Sequence, residues 1–290
     1  MELTVGAASV TRIEESYEPN FDAKTFFADW RPEIVEKHRD WMVPNHYDPA
    51  SGMLKLSVHS WLIRIGGRTI LIDTCVGNHK PRPLRPKWHL LETRYLERLA
   101  AAGARPDEID MVMCTHLHVD HVGWNTRLEN GRWVPTFPNA RYVFSRTDYE
   151  HFEAVDTSDK GPANHGSFRD SVLPVVEAGL AQIVDSSAAL DEHLAIEPAP
   201  GHTPGHVVFK LMSQGAQALF CGDVIHHVIQ IFHPEWNSFA CLDATAARTT
   251  RRRLLEQAAG SGALLTPGHF GAPHVCRVDT HGDAFRPRWE

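Results

Sequence analysis

The stretch MVMCTHLHVDHVGWN, residues 111–125, sets three imidazoles and a carboxylate within six residues directly behind an apolar run. This feature constrains the fold most, because a buried strand that ends in His116, His118, Asp120 and His121 needs a rigid scaffold to deliver those side chains to one edge. On an extended segment, residues two apart project to the same side, so His116 and His118 converge on one point. Asp120 and His121 follow where the chain should turn, and they aim at a neighbouring point. Four ligand-type groups placed this way divide naturally between two cation sites, since bonds of about 2.0–2.2 Å lie within reach of side chains on such a turn.

Three later segments repeat the pattern of an apolar run closed by a ligand-type residue. PGHTPGH offers His202 and His206, FCGD offers Asp223, and TPGHF offers His269. Upstream, LKLSVHSWLIRI (54–65) and RTILIDT read as two strands joined by a tight turn at Gly66-Gly67, with Asp73 at the end of the second. The leucines of KWHLLETRYLERLAAA predict a helix from Lys87 to Ala102, stopped by Gly103. Further strands are expected in RYVFS (141–145), LAIEPAPGH (194–202), HVVFKL (206–211), QALFCGD (217–223) and ALLTPGH (263–269), with a helix over about 245–259. Strands followed by helices, with polar residues repeatedly at strand ends, predict an α/β protein whose site lies along one edge of its sheets.

No repeat or linker divides the chain, so residues 1–290 read as one domain, with about 1–50 forming an N-terminal extension that could cover the site. Within it, the aromatic-rich segment Phe21 to Trp41 is expected to pack as a helix on the core. The alternative is that some of its aromatics shape a substrate pocket. Hydrophobic residues make up 42% of the chain and charged residues 22%, which suits an ordinary globular protein. The net charge of -7 argues against a nucleic-acid partner, and the basic run RTTRRRLL (248–255) reads as a solvated helix face. No stretch approaches a membrane span, and no signal-type segment opens the chain. The five cysteines show neither a paired framework nor a CxxC zinc knuckle, so a reducing, cytoplasmic setting is expected.

His116, His118, Asp120, His121, His202, Asp223 and His269, in this order, resemble the metallo-β-lactamase superfamily of binuclear metal hydrolases over about Leu56 to Phe270. The resemblance implies an αβ/βα sandwich of two mixed sheets flanked by helices. By motif, His116, His118 and His202 hold a first metal, Asp120, His121 and His269 a second, and Asp223 bridges both. The implied cofactors are two divalent ions, with zinc suited to the nitrogen and oxygen ligands and iron, manganese or cobalt as alternatives. Asp73 and His206 are implied as supports behind the ligands. Cys221 reads as a packed strand residue, because the ligand set is complete without it.

The implied chemistry is attack by a metal-bridging hydroxide on a small electrophile, with Asp120 positioning or shuttling a proton. THLHVDHVGWNT and GDVIHH resemble most the lactonase-like branch, which includes acyl-homoserine lactonases, organophosphate hydrolases and hydrolytic dehalogenases. One departure concerns the tyrosine that quorum-signal lactonases carry three residues after the bridging aspartate. Here that position is His226, which is expected either to bind substrate, to act as an acid or to sit behind the site. Trp124 and Trp236 are expected to put aromatic walls beside the metals. The resulting expectation is a hydrolase of a lactone, ester or similar small molecule. A dehalogenase or phosphotriesterase using the same site is the alternative within enzymes, and a non-catalytic metal-binding module is the alternative outside them. A small-molecule substrate is the expected partner, and a homodimer is compatible with the sequence.

Overall fold

The computed structural model describes residues 1–158 and 163–290. Two mixed β-sheets lie face to face. The first contains β1 (Glu2–Val5), β2 (Ala8–Asp22), β3 (Tyr47–Asp48), β4 (Met53–Ile65), β5 (Arg68–Ile72) and β6 (Met111–Met113). A separate hairpin of β7 (Thr126–Glu129) and β8 (Arg132–Pro135) precedes β9 (Arg141–Ser145) and β10 (Ala181–Val184), which complete that sheet in the order β1-β2-β4-β5-β6-β9-β10 with β3 beside β4. The second sheet runs in sequence order through β11 (Ala188–Ala189), β12 (Leu194–Pro198), β13 (Val207–Ser213), β14 (Ala216–Gly222), β15 (Leu264–Pro267), β16 (Cys276–His281) and β17 (Ala284–Trp289).

Alternation along the strands explains the layering, because successive side chains face opposite sides of a sheet. Trp61, Ile63, Ile70, Ile72, Met113 and Val143 point between the sheets, where they meet Ile196, Phe209, Leu211, Phe220 and Leu264. Their neighbours Leu62, Leu71, Val112 and Tyr142 point outward, against Tyr95, Leu99, Phe152 and Val175 of the covering helices. On the far side, Val208, Leu219 and Leu265 pack under Leu254, Leu255 and Ala258 of the helix Ala244–Ser261. The result is the αβ/βα sandwich. No helix among the described residues is long and apolar enough to cross a membrane.

The β4–β5 hairpin forms as expected, and Gly66 and Gly67 both adopt positive φ, 57° and 74°, which a two-residue turn between twisted strands requires. The helix predicted over 87–102 is shorter, spanning Tyr95–Ala101 after a 3₁₀ turn at Pro86–Trp88. Its expected first turns are lost because Leu90 N–H donates to Lys80 O and Thr93 N–H to Asn78 Oδ1, folding residues 78–93 back on themselves.

The N-terminal region also differs from expectation. Residues 2–22 are not an extension but β1 and β2, the latter paired along nearly all of β4. The single helix expected over 21–41 is three short ones, Ala23–Phe26, Glu33–Lys37 and Arg39–Met42. Asp22 caps the first by accepting from Thr25 N–H, and Pro32 starts the second, so the chain changes direction between them.

Candidate active site

Strand ends deliver every ligand-type residue to one edge. β5 runs into Asp73, β6 into the loop carrying residues 116–121, β12 into the loop carrying His202, β14 into Asp223 and β15 into His269. The pairs β5–β6 and β14–β15 are parallel, which sets their C-terminal ends side by side and forms the crevice in which such sheets place ligands.

The side chains gather into two groups, His116 with His118, His202 and Asp223, and Asp120 with His121 and His269. In the first, His202 Nε2 lies 2.7 Å from His118 Nδ1, 3.1 Å from His116 Nε2 and 3.2 Å from Asp223 Oδ2. In the second, His121 Nε2 and His269 Nε2 are 3.2 Å apart, and they lie 3.3 and 3.0 Å from Asp223 Oδ1. Asp120 Oδ2 completes that group at 3.9 Å from His121 Nε2 and 3.6 Å from His269 Nε2. Tetrahedral ligands held about 2.0–2.2 Å from one cation stand roughly 3.3–3.6 Å from each other, so both groups fit a divalent metal. Asp223 presents one oxygen to each. Its Oδ1 is buried and lacks a hydrogen-bond donor among the described residues, an arrangement suited to a cation ligand.

The opposite ring nitrogens are held from behind, which decides which atom faces the centre. His121 Nδ1 is 2.9 Å from Asp73 Oδ2, His269 Nδ1 is 2.8 Å from Ser57 O, and His116 Nδ1 is 3.1 Å from Thr115 Oγ1. Asp73 also accepts from Thr115 N–H at 2.7 Å, tying the ends of β5 and β6 together. His206 lies behind the cluster, where its Nε2 accepts from Asp223 N–H at 3.1 Å.

Burial and charge pull these groups in different directions. Burial and neighbouring imidazoles, beginning with His121 for His116 and His202 for His118, hold both rings well below the ordinary histidine pKa. Burial also disfavours charge on His121 and His269, yet the carboxylates, Asp223 first, more than offset it and raise both. Burial resists the Asp223 charge too, but His269, His121, His226 and His202 together hold it well below the carboxylate range.

A cavity of about 270 Å³ opens over the cluster, and its walls include His118, Asp120, His202, Asp223, His226 and His269. His226 Nε2 lies 3.2 Å from Asp223 Oδ2, so this residue stands at the cluster on the pocket wall. The two tryptophans do not. Trp124 is turned inward, stacked on Tyr95 at 5.3 Å with its indole N–H donating to Glu15 Oε1 at 2.7 Å. Its backbone explains the turn: Gly123 and Trp124 N–H bond Cys75 and Thr74 carbonyls, and a Cβ on Gly123 would stand 1.8 Å from Val76 O. Trp236 is buried one layer behind the pocket, against Phe27 and Trp30. The aromatic wall is instead Phe21, Phe26, Trp88 and Phe239, two of them from the N-terminal segment. Cys221 is packed under the second sheet and belongs to neither ligand group.

Three supporting residues escaped the sequence reading. Asp148 accepts from Leu117 N–H at 3.0 Å and Gly205 N–H at 2.8 Å, joining two ligand loops. Glu15, with its carboxyl pushed up to about 7 by burial, accepts from Val76, Gly77 and Trp124. Arg251 does not share the solvated face expected of its basic run. It is fully buried and donates to the carbonyls of Val224, Pro234 and Trp236 and to Asn237 Oδ1. For Asp148 and Glu15 the sequence carries no local signal. For Arg251, its place among the buried residues Ala247, Thr250, Leu254 and Leu255 of one helix is a signal.

The described geometry agrees with the comparisons. The family model of the metallo-β-lactamase superfamily matches residues 54–269. Hydroxyacylglutathione hydrolase of Aeromonas hydrophila subsp. hydrophila is 29% identical over 165 residues, which is 57% of this chain and 45% of that protein. The chain thus spans less than half the length of that relative. N-acyl homoserine lactonase AttM of Agrobacterium fabrum is 25% identical over 208 residues, 70% of this chain and 75% of that protein. Among solved structures, the hydrolase AbOPH superposes with a TM-score of 0.81 at 22% identity, covering 100% of this chain and 96% of that one. The dizinc quorum-quenching lactonase AidC gives 0.80 at 20% identity, covering 100% and 97%. With the matched residues spanning most of its length and containing the whole ligand set, this chain belongs to the metallo-β-lactamase superfamily, a superfamily of metal-dependent hydrolases.

Proposed function

We propose that the chain is a binuclear metal-dependent hydrolase acting on a lactone, ester or similar small electrophile. The observation that carries the reading is Asp223, whose two oxygens face two separate ligand groups at 3.0–3.3 Å. Divalent cations, with zinc suited to this donor set, supply polarisation of an acyl oxygen and a nucleophilic water at neutral pH when bound there. Asp120, 13% exposed and on the pocket wall, is placed to hold or pass a proton at Oδ2. His226 Nε2 is placed to hydrogen-bond the substrate or to protonate a leaving oxygen or sulfur. Leu56, Val58, Phe26 and Trp88 supply apolar surface on the cavity walls.

The test is a panel of lactones, oxygen esters, thioesters, β-lactams, phosphotriesters and chloroaromatics offered to metal-quantified protein. Turnover of a lactone or ester that disappears on chelation is expected. The aromatic wall also favours a second reading, displacement on an aryl halide or phosphotriester. Turnover confined to those classes would replace the first reading with the second.

Two further outcomes follow from the geometry. Phe239→Ala and Trp88→Ala are expected to lower kcat/KM on aryl esters, relative to short aliphatic esters, by about 2- to 10-fold, the worth of a single aromatic contact. Equal losses on both ester types would remove the aromatic wall from substrate selection. Asp73→Asn is expected to weaken metal binding by about 10–100-fold through misorientation of His121, as read by competition with a chromogenic chelator. Unchanged affinity would show that Asp73 serves only to join β5 and β6.

A further inference from the structure

The same cavity has a polar side that the proposed reaction leaves unused. Arg85, Asn164 and His165 line it together with the ligand cluster, with Phe21, Phe26, Trp88 and Phe239 also on the walls. We infer that Arg85 is a second anchor, which takes a carboxylate carried by the substrate at a distance from the bond that is cleaved, across an aromatic-lined spacer.

Arg85 is half-buried, and its guanidinium carbon lies 5.8 Å from the centre of the Phe239 ring. Its Nε donates to His165 Nε2 at 3.3 Å. Burial and the adjacent Arg85 and Arg82 hold His165 below its ordinary pKa. Among the described residues, no carboxylate pairs with Arg85, and neither of its Nη atoms makes a hydrogen bond. A planar donor pair with no carboxylate partner among the described residues, set beside aromatic faces in a concave wall, matches the two oxygens of a carboxylate.

The position is built from below. Arg82, fully buried, pairs with Asp170 through two contacts of 2.6 and 2.8 Å. The same guanidinium donates to His165 O at 3.2 Å, and Arg82 O accepts from Arg85 N–H at 2.8 Å. Asp170 also lies 3.5 Å from Lys80 Nζ, so this acid already serves two other cations. Asn164 and His165 both hold positive φ, 47° and 59°, and Asn164 Nδ2 donates to Leu117 O at 2.8 Å, beside the ligand loop. One buried ion pair therefore fixes both Arg85 and the imidazole that orients it.

The inference rests on the proposed hydrolase for its reaction but not for its binding step, and the experiment separates them. Binding of 4-phenylbutyrate and of uncharged 4-phenylbutanamide to the metal-loaded protein is measured by calorimetry for wild type, Arg85→Gln and Arg85→Lys. Wild type is expected to prefer the acid by about tenfold, Arg85→Gln to lose the preference, and Arg85→Lys to regain part of it. A preference retained in Arg85→Gln would overturn the inference, since the carboxylate would then be held by the metals. In parallel, aryl monoesters of glutaric acid are compared with their methyl-capped forms. Turnover of both at equal kcat/KM would overturn the anchor while keeping the hydrolase. An Arg85-dependent binding preference with turnover of neither ester, nor of any member of the substrate panel, would support the anchor and end the hydrolase reading.

Discussion

Asp120→Asn is expected to lower kcat by about 10²–10⁴-fold, the usual loss when a positioned proton-transfer group is disabled. The substitution is nearly isosteric and keeps an oxygen toward His121 and His269, so the fold and most of the metal-binding geometry should survive. It removes the negative charge of Asp120, which lines the cavity at 13% exposure and belongs to the second ligand-type group. The check is kcat on the best substrate of the panel, at equal metal content, with matching circular dichroism spectra. Activity near wild type under those conditions would exclude Asp120 from proton handling and leave it as a replaceable ligand.

Arg251→Met is expected to destabilise the protein by about 3–5 kcal/mol, because one fully buried side chain then withdraws its hydrogen bonds from several acceptors of buried residues at once. The guanidinium remains charged at neutral pH, its pKa held to about 10 by burial, and it donates to three carbonyls spread over residues 224–236. Those carbonyls belong to the segment that carries His226, so looseness there should reach the pocket as well. A lower urea midpoint, with the slope of the transition unchanged, is the expected reading. A shift smaller than about 1 kcal/mol would mean that the segment finds other donors.

The ligand set was legible because its signal is local: each member ends an apolar run, and residue type limits what such a position can do. THLHVDH, PGH, CGD and TPGH lie where strands end, as their patterns require. β2 was illegible for a physical reason. Its pairing with β4 slips at Glu14/Ser16 and again at Pro19/Phe21, and each bulge breaks the alternation that would reveal a strand. The first bulge adds Glu15, which turns into the core to hold the backbone at Val76 and Gly77.

Trp124 illustrates a related limit. Its closeness in sequence to His121 suggested a place beside the metals, but the 3₁₀ turn Gly123–Asn125 rotates its ring onto Tyr95 instead. The alternative reading of the N-terminal aromatics agrees with the placement of Phe21 and Phe26 on the cavity wall, whereas nothing in the sequence points to Arg85 there. Phe21 and Phe26 reach the cavity at the end of the long β2 strand and just beyond it, while Arg85 arrives on a loop fixed by Arg82 and Asp170. The residues proposed to do chemistry were thus visible in the motif, whereas those proposed to select a substrate depend on packing between distant segments.

The proposed function requires Asp223 to join two cation groups into one hydrolytic centre. Metal counting coupled to turnover tests it most directly: purified protein is stripped by chelation, refilled stepwise with zinc and assayed at each step. About two equivalents per chain should bind, with hydrolysis absent in the stripped protein and recovered as both groups fill. Full hydrolysis by the stripped protein, or saturation at one equivalent with full activity, would rule out a binuclear hydrolytic centre.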